Sequence, residues 1–505
     1  MTLNRRHALA ALATTPLSIP AGGTSASGEM RFALGMASGN PRPDSVVLWT
    51  RLTGAALPPA VPVRWELARD EAFTQVAARG EETALADEAH SVHAEPAGLE
   101  TGRSYWYRFT ALGQRSATGR TRTAPAPGQR GQVLRFAIAS CQRWDHGHWA
   151  AWRHLAAEAP DLVLFLGDYI YEYPSPPGVL RAHEGGLVST LDGYRERHAQ
   201  YKSDPLLQAA HAVAPWVTIW DDHEVANDYA GLDNGLLVVN FARRRAAAYR
   251  AWWEHMPVPK AWRPDGPDLT IHHRLDWGAL ARIHAIDTRQ WRDPQACRSG
   301  LKSLSGQVNR AECPELDEPA RTLLGAAQER WLAAGWDRDR PWNLLAQQTL
   351  MAGRTSEPTD GPSRGRYWSD GWDGYPAARR RLLQDAAGAG ARNLVVLGGD
   401  VHAHYVADLR ADHDDRRGPV LGSEFCGTSI SSRGPSTAAT DRARRLNPHL
   451  HHARGDARGY VAFELDERRL QARLMAVRDA ADPHSAIDVD ARFAVEAGRP
   501  GPQSA

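Results

Sequence analysis

Two hydrophobic rhythms divide the chain. From about residue 30 to 125, apolar and polar positions alternate in short segments. Val61-Pro62-Val63-Arg64-Trp65-Glu66-Leu67 and Ser104-Tyr105-Trp106-Tyr107-Arg108-Phe109 are examples, with Ser45-Val46-Val47-Leu48-Trp49-Thr50 before them. A period of two predicts half-buried strands, and their spacing predicts an all-β sandwich of about 95 residues. Leu99-Glu100-Thr101-Gly102-Arg103-Ser104-Tyr105 adds a tyrosine after a glycine corner, similar to the fibronectin-III pattern. Thr123-Ala124-Pro125-Ala126-Pro127-Gly128 reads as a linker. Beyond it the rhythm becomes dense: Val133–Ala139, Leu162–Leu166, Trp216–Trp220 and Leu394–Leu397 are apolar at nearly every position. Such runs predict strands buried on both faces. The helical stretches Trp149–Ala159 and Ala327–Ala334 lie between them and predict an α/β region over 131–480. Residues 481–505 read as a C-terminal tail.

Composition narrows the partners. Sixty basic side chains face 59 acidic ones, a net charge of +1, so no global field draws the chain to nucleic acid or to an anionic membrane. An apolar content of 42% with 18 Trp excludes intrinsic disorder. The N-terminus carries Asn4-Arg5-Arg6-His7 before a mildly apolar stretch of about a dozen residues, too short to cross a bilayer. Residues 1–29 resemble a twin-arginine export signal, which implies the twin-arginine machinery as a partner and a periplasmic or secreted location. A short N-terminal helix is the other reading, although no amphipathic face is visible. No other apolar run reaches about 18 residues, so no transmembrane anchor is expected after the signal.

Four cysteines do not make a disulfide framework in a chain this long. Cys297 and Cys313 stand in a polar stretch and either stay free or close one loop. Cys426 reads as a small buried residue. Cys141 belongs to a different pattern.

Each dense strand ends in residues able to bind metal: Ser140-Cys141-Gln142, then Gly167-Asp168-Tyr169-Ile170-Tyr171-Glu172-Tyr173, then Asp221-Asp222-His223-Glu224, and later Gly399-Asp400-Val401-His402-Ala403-His404. Ligands of open α/β sheets bind beyond the carboxyl ends of the strands, so these tips can converge. Carboxylates suit hard ions such as Ca²⁺ or Fe³⁺, and histidine suits transition metals. A thiol and a phenol, which titrate near about 8.5 and about 10, need a strongly polarising ion such as ferric iron to ionise them. One carboxylate can bridge two metals about 3.5–4 Å apart. Other templates fail: His223-Glu224-Val225-Ala226-Asn227 lacks the second histidine of a zinc-protease helix, and no nucleophile elbow, Walker loop or dinucleotide-binding glycine run is present.

This ordered set, with Gly427-Thr428-Ser429-Ile430-Ser431-Ser432 and Gly459-Tyr460-Val461, resembles the PhoD-type alkaline phosphatases among the calcineurin-like and purple-acid-phosphatase-like metallophosphoesterases. The resemblance spans about residues 30 to 475. It implies an α/β four-layer metallophosphoesterase sandwich preceded by a small all-β, fibronectin-III-like domain. It also implies an Fe³⁺/Ca²⁺ centre that hydrolyses phosphate mono- or diesters with a metal-activated hydroxide. Cys141 and Tyr171 match the iron ligands, and Asp168 the bridging carboxylate. Asp222 stands where relatives bind metal through Asn, and His223 where a histidine assists the transition state. Asp400, His402 and His404 occupy the Gly-His-x-His segment as further metal ligands. Asn227 reads as a ligand or a turn cap, Asp221 as a supporting carboxylate, and the role of Asp228 stays open. The competing class is an exported binding protein that kept the fold without catalysis.

Other conspicuous residues read more plainly. His146 and His148 are expected in a solvated loop or at the site entrance, and His449-Leu450-His451-His452 in a solvated loop. Arg243-Arg244-Arg245 and Arg379-Arg380-Arg381 read as solvated helix faces. The segments Asp293–Arg321 and Tyr367–Tyr375 are expected to cover the site as lids.

Overall fold

The computed structural model describes residues 31–234, 240–298, 305–415 and 417–505. The expected export signal, residues 1–29, lies outside them. Among the described residues the main strands form a ten-stranded and a seven-stranded sheet. In the first, Leu134–Ala139, Leu162–Phe165 and Pro215–Thr218 run parallel side by side. In the second, Ala281–Ala285, Trp342–Ala346, Leu394–Gly398 and Gly422–Cys426 do the same.

Strand alternation sorts the seven-stranded sheet into two faces. Leu344, Val395, Leu397 and Phe425 join the core of the ten-stranded sheet. Leu345, Leu394, Val396 and Cys426 instead pack with Leu332 and Leu383 of the helices Gly325–Ala333 and Pro376–Gly388. Phe463 touches both sheets, stacked on Phe136 with centroids 4.6 Å apart and edge-on to Phe425 at 5.4 Å. The ten-stranded sheet packs in turn against helices. Trp152 of Ala150–Glu158 lies 5.2 Å from Trp216, and Trp220, just beyond its strand, stacks at 4.0 Å on Tyr249 of Phe241–His255. Helix Pro205–Val213 starts where its sequence says it should: Pro205 is the first residue, and Asp204 Oδ1 caps the Leu206 and Leu207 N–H groups.

The strands of residues 31–125 divide between two sheets. Ala60–Ala68, Val76–Leu85 and Ser104–Ala111 make a sheet of their own. Met36–Gly39, Val47–Arg51 and Ser91–Ala94 instead extend the ten-stranded sheet, with Ser38 paired in parallel to Pro215. The Tyr105 hydroxyl accepts the Glu100 N–H at 2.9 Å and pins the glycine corner.

The expected C-terminal tail is corrected. Ile487–Glu496 and Arg499–Ser504 are strands that finish the ten-stranded sheet. Their pattern of partly exposed positions gives the weak signal of an edge, which hid them in the sequence. The histidine cluster is corrected as well. Leu450–Arg454 is an edge strand of the seven-stranded sheet, and His452 reaches Asp490 on Ile487–Glu496 at 2.9 Å. Arg244 and Arg245 are buried rather than solvated. Arg244 bonds the Val225 carbonyl, while Arg245 bonds the Pro267 and Gly231 carbonyls. No helix of the described residues is long and apolar enough to cross a membrane.

Candidate metal centre

The strand tips meet where the two sheets touch. A Cβ placed on Gly399 would lie 2.3 Å from Ser140 Oγ, and one on Gly167 2.5 Å from Asp221 Cβ. Only glycine permits this approach. Beyond the tips the chain turns sharply. Cys141, Asp168, Asp400 and His402 all adopt positive φ, between 53° and 63°. Each such non-glycine residue costs about 1–2 kcal/mol, and the four together mark a place where surrounding structure over-determines the backbone.

The donors gather around Asp168. Ligand atoms of Cys141, Asp168 and His402 lie within 4.8 Å of one another, and so do those of Asp168, Asp222 and His223. Asp168 thus belongs to both groups. The Tyr171 hydroxyl donates to Asp168 Oδ2 at 2.7 Å and lies 3.3 Å from His402 Nε2 and 2.8 Å from Ser432 Oγ. His402 Nδ1 donates to the Arg433 carbonyl at 2.9 Å, which leaves the Nε2 lone pair facing the group. His223 Nδ1 is held by Glu172 Oε2 at 2.7 Å, leaving its Nε2 on the site side.

His404 does not join them. It is fully buried, its Nδ1 accepts the Thr428 N–H at 3.1 Å, and its Nε2 faces the Met475 carbonyl at 3.4 Å. The expectation that it binds metal is corrected: both ring nitrogens serve the sheet. Asp400 lies outside both groups, on the side of Asp222, Asp370 and Thr349. Asp221 is a supporting carboxylate, paired with the Arg289 guanidinium. Asn227 contributes its backbone N–H to Glu172 Oε1 at 2.8 Å. Asp228, at φ 58°, gives its N–H to Asp222 Oδ2 and accepts the Ser305 hydroxyl.

Several residues that shape the centre escaped the sequence reading. Glu224 takes three backbone N–H groups, from Asp168, Tyr169 and Asp221, and so ties two strand tips together. Arg289 reaches Asp221, Asp370 and Asp222. Ser432 Oγ lies 2.8 Å from both the Cys141 carbonyl and the Tyr171 hydroxyl. Parts of the two segments expected as lids meet beside Arg289: Gln295 donates to Asp370 at 2.7 Å, and Asp370 is buried against Arg289 and Arg292. Cys297 and Cys313 are bridged, whereas Cys141 and Cys426 are free and buried.

The electrostatics call for cations. Burial, then Asp168 and Asp400, push the Cys141 thiol well up. Burial, then Asp168 and Cys141, do the same to Tyr171. Burial raises Asp168 far above the usual carboxylate range, with Asp222, Asp221 and Glu224 adding to it against His223. Burial also lifts Asp400 and Asp228 to about 7. For Asp222 burial is outweighed by Arg289 and His223, which hold it low. Asp168 Oδ1 and Asp222 Oδ1 are buried with no hydrogen-bond partner among the described residues. Buried, orphaned carboxylate oxygens beside a thiol and a phenol fit a metal centre and fit little else.

Residues 136–474 match the family model of the PhoD-like phosphatase, and residues 17–125 that of its N-terminal domain. The chain belongs to the PhoD-like phosphatases. It is 42% identical over 491 residues to alkaline phosphatase D of Bacillus subtilis (strain 168), covering 93% of this chain and 82% of that protein. Against the solved structure of PhoD it has a TM-score of 0.88 at 40% identity, covering 96% of this chain and 93% of the other. This PhoD-like phosphatase is therefore an enzyme of the phosphoesterase class.

Proposed function

We propose that the protein is an exported phosphatase that hydrolyses phosphate mono- or diesters at an Fe³⁺/Ca²⁺ centre within a four-layer sandwich. The observation that carries this reading is the sharing of Asp168 between two donor groups. On this reading Cys141, Tyr171, His402 and Asp168 would hold a ferric ion, and Asp168 and Asp222, with Asp400 on their side, would serve calcium. Bound ions would activate water and offset charge on the phosphoryl group. The chain's own residues do the rest. Glu172 fixes the orientation of His223 and favours its protonated form. Burial opposes that charge, but Glu172, Asp222 and Asp168 outweigh it and raise its pKa well above the ordinary value. A protonated His223 Nε2 can then donate to the phosphoryl group or to the leaving oxygen. Tyr171 stacks on the imidazole with centroids 4.1 Å apart and limits its swing.

The test is turnover of p-nitrophenyl phosphate and bis-p-nitrophenyl phosphate by iron-loaded protein with added calcium. Hydrolysis of either ester is expected, and hydrolysis of neither overturns the reading.

A further inference from the structure

One cation at the rim is held firmly yet keeps a nitrogen to spare. Arg143 lies just past the Cys141 strand tip. Its Nε and Nη2 bond the buried Asp145 carboxylate at 2.7 and 3.4 Å. Its backbone is fixed too, the N–H on Ser432 Oγ at 3.2 Å and the carbonyl on Ser431 Oγ at 2.7 Å. Its guanidinium carbon lies 5.5 Å from the centre of the Tyr171 ring. The side chain is 20% exposed, and its Nη1 makes no hydrogen bond among the described residues.

Two neighbouring guanidiniums are spent, and a third is not held in place. Arg458 Nη1 bonds the His402 carbonyl, Ser429 Oγ and the Ser432 carbonyl, and its Nη2 bonds Gly455. Arg289 is consumed by carboxylates. The exposed Arg433 has only its backbone fixed, between His146 and His402. Arg143 is thus a preorganised donor whose rotamer cost is already met by Asp145.

Resting on the phosphoesterase reading, we propose that Arg143 is a substrate-binding residue that favours monoester dianions over diesters. A monoester carries three non-bridging oxygens and, at alkaline pH, two negative charges. A diester carries two such oxygens and one charge, with an uncharged substituent in the third position. A fixed guanidinium beside the centre rewards the third oxygen, because a charge-assisted hydrogen bond is worth more than one to a neutral group. Among the described residues, the acidic group paired with Arg143 is Asp145, and its oxygens take Nε and Nη2 rather than Nη1.

The experiment compares wild type with Arg143→Met and Arg143→Lys on p-nitrophenyl phosphate and bis-p-nitrophenyl phosphate, with metal content measured for each protein. Arg143→Met is expected to lower kcat/KM for the monoester by about 10- to 100-fold and for the diester by a clearly smaller factor. Arg143→Lys should recover part of the selectivity, since it restores the charge without the fork. An equal fall for both esters, or no change in their ratio, in variants that retain wild-type metal content overturns the proposal alone. If Arg143→Met fails to retain metal, the neutral Arg143→Gln takes its place: a wild-type ratio in metal-loaded protein overturns the proposal, and a shift toward the diester supports it. Wild type that hydrolyses neither ester removes the phosphoesterase reading and this proposal together.

Discussion

On one flank of Asp168 stand a thiol, a phenol and an imidazole; on the other stand Asp222, Asp228, Asp370 and Asp400. The first flank has arginines behind it, Arg458 beneath and Arg143 at the rim. In the second, Arg289 and Arg292 are outnumbered by the carboxylates they serve. The first flank must lose protons to act as a ligand set, and only a strongly polarising ion can make a buried thiol and phenol do so. The second resists charge chiefly through burial, with neighbouring carboxylates adding to it, which lifts Asp400 and Asp228 to about 7, and a hard divalent ion would offset both effects. On the proposed reading, the contrast is that of one centre serving two unlike ions, with Asp168 shared between the two donor groups.

The largest effect should come from removing that shared carboxylate. Asp168→Asn is expected to lower turnover by at least about 1000-fold and to empty both flanks, read by elemental analysis. Retention of both metals at wild-type stoichiometry would break the comparison at its centre.

Next come changes confined to one flank. A phenolate on Fe³⁺ gives a visible charge-transfer band, so Tyr171→Phe should bleach or shift the colour and leave calcium binding in place. Tyr173→Phe, at the half-buried tyrosine edge-on to His223, should leave the band nearly unchanged. An iron-loaded protein whose spectrum ignores Tyr171→Phe would remove the tyrosinate from the ligand set. On the opposite flank, Asp400→Asn should raise the calcium needed for half-maximal thermal stabilisation by about 10-fold while the visible band persists. Loss of colour in that variant would show that the flanks are not separable.

The smallest effect belongs to a place outside both donor groups. For Asp490, burial opposes ionisation, but His452 and Arg454 win and hold the carboxyl down at about 2. A depressed folded-state pKa stabilises above the ordinary carboxylate value near about 3.9, and that stability is lost as pH falls toward about 2. Because the site is partly solvated, Asp490→Asn should cost under about 1 kcal/mol at neutral pH. Melting curves should show a smaller loss between pH 5 and pH 3 than in wild type, with metal content unchanged.

Much of this centre was legible because dense apolar runs mark buried strands, and the polar residues directly after each run form its tip. That logic singled out Cys141, Asp168, Tyr171, Asp222, His223 and His402, which the structure brings together, and Asp400, which lies outside both donor groups. It failed for His404, since alternation applies only inside a strand. His402 stands in the turn at φ 53°, whereas His404 is the first residue of His404–Leu409 and points into the sheet. Glu224 and Glu172 were visible as letters, but a carboxylate that gathers backbone N–H groups looks in sequence like any helix cap. Arg289 and Asp370 come from distant loops, and nothing local betrays their pairing. The strands before residue 95 announced themselves by period two. Which sheet they would join did not, because pairing partners are a property of the whole topology.

The contact between Gly399 and Ser140 carries a practical consequence. Two sheets register against each other there with no room for a methyl group, so the tips behave like mating parts machined to one tolerance. Redesign of substrate range belongs elsewhere. The rim around Arg143 can vary in shape and charge, whereas any added bulk at the seam would misalign both ligand sets at once.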